Sequence, residues 1–428
     1  MALRSSLRRF SACLLGLAAC APPSGAELTE SSSTSTSTSA EATSTSTSTS
    51  NASAESTSEE TATSSTTGDA STTAAPSQCG DGEATPGELC LVRLDPLALG
   101  HQPADVELAD LDDDGHLDVA VAAVGGALYT RYGRGDGTFD DAAGPLVPLV
   151  QPRGVAALAR TQTGPLDLAA ADMGFNSIAL LEHEAPRSYA APKGLPVGDQ
   201  PRALARGDLD GDGDDDLVIA SQGNDTVTVA LFAGDAPPIL QSYAVGEEPY
   251  AVTLADLDDD GALDVATADR VSGSISVLLG DGAGGFADAT AHAARPDVRS
   301  LAIADLNGDG AQDIVATSFD DSKLTILRGH GDGIGFTSLF LPTGAELYGV
   351  AVGDLDHDGA VDILATDLGS SELLVIRDLQ TELPTVSRMA TSAGPLDVTV
   401  GDLDGDGDLD VVVAATYGDA VDVFVNDP

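Results

Sequence analysis

One nine-residue segment recurs six times along this chain at a nearly constant interval, and that recurrence limits the possible folds more than any other property. It starts at Asp110, Asp208, Asp256, Asp305, Asp354 and Asp402 and ends at Asp118, Asp216, Asp264, Asp313, Asp362 and Asp410. The last five starts lie 48, 49, 49 and 48 residues apart, and the first gap of 98 is twice 49. A degenerate copy fills that gap. Ala159 to Asp167 keeps the glycine and the final aspartate but has lost the first three carboxylates. A repeat of this length marks an array of supersecondary units, each burying its apolar face against the next.

The flanks repeat as well. Proline stands seven residues before the segment at Pro103, Pro152, Pro201, Pro249 and Pro395. Residues then alternate, as in Val252-Thr253-Leu254-Ala255, with apolar side chains on one face. After the segment comes an apolar run such as Leu217-Val218-Ile219-Ala220, then turn residues, then a third alternating stretch such as Thr226-Val227-Thr228-Val229. A glycine-rich turn and a weaker fourth strand complete the unit. Three copies carry this turn in similar form, at 133–139, 280–286 and 329–336. Four short strands per unit, seven times over, predict an all-β, seven-bladed β-propeller of four-stranded blades. The sequence stops after the third strand of the last unit, and Leu91 to Leu94 form an orphan strand before the first. That N-terminal strand is predicted to complete the seventh blade and close the ring, leaving no exposed edge at the seam. Residues 91–428 resemble the FG-GAP/VCBS family, which includes the integrin α-chain propeller.

The recurring segment places carboxylates at positions 1, 3, 5 and 9 and glycine at position 6. Oxygen ligands at this spacing wrap a hard cation, and glycine permits the sharp turn with φ > 0. The predicted ligands are Asp110, Asp112, Asp114 and Asp118; Asp208, Asp210, Asp212 and Asp216; Asp256, Asp258, Asp260 and Asp264; Asp305, Asn307, Asp309 and Asp313; Asp354, Asp356, Asp358 and Asp362; and Asp402, Asp404, Asp406 and Asp410. A backbone carbonyl at position 7 would add a further ligand. Calcium, at about six structural sites, is the expected cofactor. An EF-hand requires Glu at position 12, where this chain has Val121, Ile219, Thr267, Ala316, Ala365 and Val413. Magnesium prefers strict octahedral geometry with several waters, which a flexible loop of four carboxylates does not favour. Four close carboxylates also repel one another unless a cation sits among them.

Ahead of the repeats the chain changes character. Residues 1–19 read as a signal peptide, with Arg4, Arg8 and Arg9 before a short apolar stretch. Leu17-Ala18-Ala19-Cys20 resembles a bacterial lipobox, which implies lipidation of Cys20 and an outer-membrane or cell-surface location. Residues 20–78 read as a tether. Ser and Thr supply 30 of the 45 residues from Ser31 to Ala75, a composition that buries too little apolar area to order itself. As a flexible coil the tether would reach roughly 40 Å. Residues 79–90 form a Gly/Pro-rich loop bracketed by Cys79 and Cys90, predicted to pair as a disulfide. The segment resembles the start of a cysteine-rich repeat of myxobacterial surface proteins.

Charge and chemistry narrow the function. The 69 acids against 19 bases give a net charge of −50, which argues against nucleic acid, since phosphate backbones are bound through Lys and Arg. No apolar run spans a bilayer, so the membrane is reached only through the lipid anchor. The six His are scattered, no nucleophile elbow is present, and no basic cluster aligns with a Tyr or His. The chain is expected not to be an enzyme. A local balance of eight bases and eight acids between Arg131 and Arg206 surrounds the degenerate unit. Arg153, Arg160 and Tyr189 there are candidates for docking an anionic or glycan partner. The family resemblance implies a cell-surface recognition or adhesion protein, a monomeric head binding a protein or glycan. The alternatives are a calcium-dependent polysaccharide-degrading enzyme and a purely structural envelope protein.

Overall fold

The structure is a computed structural model that describes residues 87–140, 146–161, 164–234, 236–343, 346–381 and 384–426. Within these residues the only regular elements are β-strands, arranged as seven antiparallel blades. The third blade is typical. Its inner strand (Pro201–Gly207) pairs with a second (Asp216–Ser221), then a third (Thr226–Leu231) and an outer strand (Ile239–Ala244). The inner strands of the other blades are Pro103–Ala109, Pro152–Leu158, Pro249–Ala255, Val298–Ala304, Leu347–Gly353 and Pro395–Gly401. Each inner strand touches the next, and the seventh touches the first, so the ring is closed.

Closure uses the predicted N-terminal strand. Leu91–Arg93 pairs antiparallel with Ala420–Asn426, Leu91 opposite Asn426 and Arg93 opposite Phe424. Leu97–Ala98 pairs further along the same strand. Arg93 also donates to Asp422 at 2.5 Å. The seventh blade thus takes its outer strand from the start of the repeat region and its other three from the end.

The residue pattern explains the layers. Second strands are apolar without alternation because both of their faces are covered, and Asp118–Ala123 and Asp410–Ala415 are buried at every position. Outer strands alternate, as Ile239–Ala244 and Thr385–Ala390 do, because one face meets water. Seven apolar clusters fill the seven blade-to-blade interfaces. Ala, Val and Leu dominate them, with Tyr129, Phe232 and Phe424 as their largest fully buried side chains.

A further regularity is invisible in the repeat pattern. Every inner strand is irregular at its second residue, where the register with the second strand shifts. Such β-bulges re-aim side chains. Here seven bulges sit side by side around one end of the central channel.

Candidate metal centres

Each nine-residue loop joins an inner strand to the second strand of its blade. Its first aspartate follows the inner strand, and its ninth opens the second strand. The loops therefore lie at the end of the ring opposite the seven bulges, about 20 Å away along the seven-residue inner strands.

The loop's shape follows from two left-handed residues. Glycine at position 6 has φ between 85° and 97° in all six motif loops. A Cβ at Gly115, Gly261, Gly310, Gly359 or Gly407 would meet nothing within 4 Å, so conformation rather than space selects glycine. Position 4 is also left-handed, at Asp113, Gly211, Asp259, Gly308, His357 and Gly405. Its bias toward Gly and Asp is the signal that sequence reasoning passed over. The turn folds amides back onto the first carboxylate. Asp110 accepts from the amides of Asp114 (3.1 Å) and Gly115 (2.9 Å), and Asp256 from Asp260 (3.2 Å) and Gly261 (2.9 Å).

Position 9 has a role that spacing alone does not reveal. Asp118 accepts the Leu111 amide at 2.8 Å on one oxygen and the Gly133 amide at 2.7 Å on the other. Asp216, Asp264, Asp313 and Asp410 make the same two bonds, to the residue at position 2 and to one sixteen residues on. The ninth carboxylate thus staples its loop to the end of the third strand. Where the partner is Gly133, Gly280 or Gly329, a Cβ would fall within 2.3 Å of a carbonyl oxygen, which explains the glycine opening that turn. Burial pushes the carboxyls of Asp118, Asp362 and Asp410 up to about 7 and Asp216 to about 6, against the pull of those amides. Carboxylates at positions 3 and 5 add to the rise in Asp118 and Asp362.

Positions 1, 3 and 9 come together in five loops. Asp110, Asp112 and Asp118; Asp208, Asp210 and Asp216; Asp256, Asp258 and Asp264; Asp354, Asp356 and Asp362; and Asp402, Asp404 and Asp410 each present oxygens within 4.8 Å of one another. Position 5 stays outside these groups and accepts the position 7 amide instead, as Asp114 does from His116 at 3.0 Å. The sixth loop carries an amide in the cluster. Asn307 accepts from Asp309 at 2.8 Å and donates to Asp313 at 3.4 Å.

These groups pass a test of fit to a cation. Oδ1 of Asp112, Asp258, Asp354 and Asp356 is buried without a hydrogen-bond partner. A buried carboxylate oxygen in this state is costly unless something positive satisfies it. In two loops the protein supplies part of that charge. Arg187 reaches Asp112 at 2.5 Å and Asp114 at 3.6 Å, and Arg377 reaches Asp356 at 2.7 Å. Both arginines take Oδ2 and leave Oδ1 bare. The five groups are arranged so that they can hold metal ions.

The degenerate loop shows the complementary solution. Arg160, at its second position, donates to Asp167 at 3.3 Å, lies 3.6 Å from Glu182 and donates to the Gly234 carbonyl at 2.7 Å. Asp167 keeps the staple by accepting from His183 at 2.7 Å. A guanidinium thus stands beside the surviving ninth carboxylate, where the other loops have further acids. Arg153, Arg160 and Tyr189 do not form one surface. Arg153 is at the bulge end, Arg160 at the loop end, and Tyr189 packs against the core between the first two blades. A basic cluster beside tyrosines does exist, contrary to expectation, because ring closure gathers residues about 49 apart at the bulge end. Cys90 is buried and disulfide-bonded. Cys20 and Cys79, with the segments read as a signal peptide and a tether, lie outside the described residues.

The comparisons agree with this architecture. Residues 208–267, 256–316 and 305–365 match the FG-GAP-like repeat. Among curated proteins none matches the sequence. A chain in the crystal structure of BBS1N in complex with ARL6DN is similar at a TM-score of 0.58 and 14% identity, covering 79% of this chain and 97% of that one. Kuenenia stuttgartiensis hydrazine synthase is similar at a TM-score of 0.55 and 16% identity, covering 78% and 97%. At these identities the likeness is one of fold. The chain is a seven-bladed β-propeller carrying FG-GAP-like repeats.

Proposed function

We propose that this chain is a calcium-binding recognition or adhesion protein and not an enzyme. A lipidated Cys20 and a flexible tether would present the propeller at a bacterial cell surface. The observation that carries the metal reading is the set of five three-carboxylate groups at one end of the ring, four of whose buried oxygens lack any partner. Calcium suits them because the donors are all hard oxygens in flexible loops. Bound there, calcium would neutralise the clustered carboxylates and fix the loops. Asp305, Asn307, Asp309 and Asp313 would supply a sixth site with one fewer charge. For extracellular modules the dissociation constant is on the order of 10⁻⁴–10⁻³ M. At the tight end, 1 mM calcium adds about 1.4 kcal/mol per independent site.

A protein is the first class of partner to test. A chain of this fold is in complex with a protein in the BBS1N structure, and this chain has no Trp for sugar stacking. The test is binding to a broad glycan array in calcium, with EDTA as control. A blank array with folded protein is the result this reading expects. A calcium-dependent hit would make the protein a lectin and require those sugars to be tested for cleavage.

A further inference from the structure

The end of the channel opposite the acidic loops carries the reverse charge. The bulged second residue of the inner strand is Arg153, Arg202, Tyr250, Arg299 or Tyr348 in five consecutive blades. These five side chains frame a recess of about 70 Å³ on the axis. The chain has only 19 bases against 69 acids, and three of those bases converge here. We propose that this recess is a binding site for a single carboxylate group.

Of the three arginines only Arg299 is in an ion pair among the described residues. The Arg202 guanidinium stacks on the Tyr250 ring, 3.2 Å from its centre, and donates to the Tyr348 hydroxyl at 3.1 Å. Burial and the nearby charges of Arg153 and Arg299 make its protonated form less favourable than that of an exposed arginine. Arg299 is held by Asp297 at 2.6 Å and lies over the rings of Tyr250 and Tyr348. Arg153 makes no hydrogen bond or ion pair among the described residues, and its Nε is buried. Nε of Arg299 is also buried without a partner. Nε of Arg160 and Arg377 is bare too, but those arginines hold carboxylates, whereas Arg153 has no partner and shares the recess with two more guanidiniums, a convergence that points to a ligand. Planar forks of this kind match a carboxylate.

Size and charge select the ligand class. A recess of about 70 Å³ suits a small planar group such as a carboxylate. Asp105 and Asp397 lie at the same recess, each accepting an amide from the neighbouring blade. Burial raises both carboxyls, and Coulombic repulsion from Asp397 adds to the rise in Asp105. Three guanidiniums thus face carboxyls whose burial disfavours their charge, and the recess favours an anion. The site is independent of the acidic loops at the other end of the ring, so its fate does not depend on calcium.

The test titrates the full chain with acetate, glucuronate and sulfate by calorimetry at constant ionic strength and saturating calcium. Arg153→Gln is the main variant, because Arg153 has no partner to lose. Arg134→Gln, on an exposed loop, is the control. Saturable binding of acetate or glucuronate, weakened at least tenfold in Arg153→Gln with its melting temperature unchanged, supports the site. The stronger of the two tells whether the carboxylate is free or carried on a sugar. Three results would overturn the proposal: no saturation by either carboxylate, equal binding by the Arg153 variant, or sulfate binding as tightly as the better carboxylate.

Discussion

The hydrogen bonds of a carboxylate in these loops tell whether it also holds its loop to the blade. Asp264 accepts two amides, from Leu257 at 2.8 Å and Gly280 at 2.7 Å, whereas Oδ1 of the neighbouring Asp258 accepts none. Asp264→Asn leaves one of those amides facing an NH₂ group. It should cost about 1–3 kcal/mol in EDTA, and more in calcium, because Asp264 also belongs to the grouped carboxylates. Asp258→Asn leaves both of those staple bonds in place and relieves repulsion. It should melt no lower than wild type in EDTA, yet bind one calcium fewer. Thermal melts under both conditions, with a calcium count, separate the two, and equal behaviour in EDTA would remove the distinction. Arg160 extends the logic to the loop without acids. Because it serves Asp167, Glu182 and the Gly234 carbonyl, Arg160→Gln should lower stability by about 2 kcal/mol whether or not calcium is present. A calcium-dependent loss would mean that this loop also holds metal.

At the scale of the strand, most of the fold was legible because its constraints are local and repeated. The proline, the alternating inner strand, the apolar second strand and the Asp/Gly loop each recur at one spacing, so seven copies reinforce a single reading. The orphan strand was legible for the same reason, since its place in the repeat was vacant elsewhere. The bulges were not, because a bulge is a mismatch between two strands and leaves no composition of its own. The doubled role of Asp118 and its equivalents was hidden too, since its second partner lies fifteen or sixteen residues away on the third strand. The seam offers a test at this scale. A chain beginning at residue 99 lacks Leu91–Arg93 and Leu97–Ala98 and leaves Ala420–Asn426 as an open edge. It should melt lower and associate as concentration rises. Unchanged melting and light scattering would show that closure does not depend on these strands.

Across the whole molecule, ring closure creates chemistry that no single repeat contains. It puts acids at one end of the axis and three arginines at the other. It also sets Asp397 beside Asp105, with Glu107 and Arg202 near the pair and Arg206 and Asp215 beyond Glu107. Burial holds Asp397 at about 7 and raises Asp105. Their folded values exceed the usual carboxyl value of about 3.9, so the folded state keeps protons that the unfolded chain has released. The stability they contribute is complete below about pH 4 and is lost as pH rises toward 7. In saturating calcium, where the loop carboxylates stay ionised, Asp397→Asn should flatten the fall in melting temperature over that range. An identical slope in the variant would place the titration elsewhere. The account as a whole turns on the acidic loops, and the most direct measurement is calcium bound per chain by equilibrium dialysis, read with the melting temperature in millimolar calcium and in EDTA. The account predicts about six calcium ions and a markedly higher melting temperature in calcium. No bound calcium and identical melts in the two buffers would contradict it.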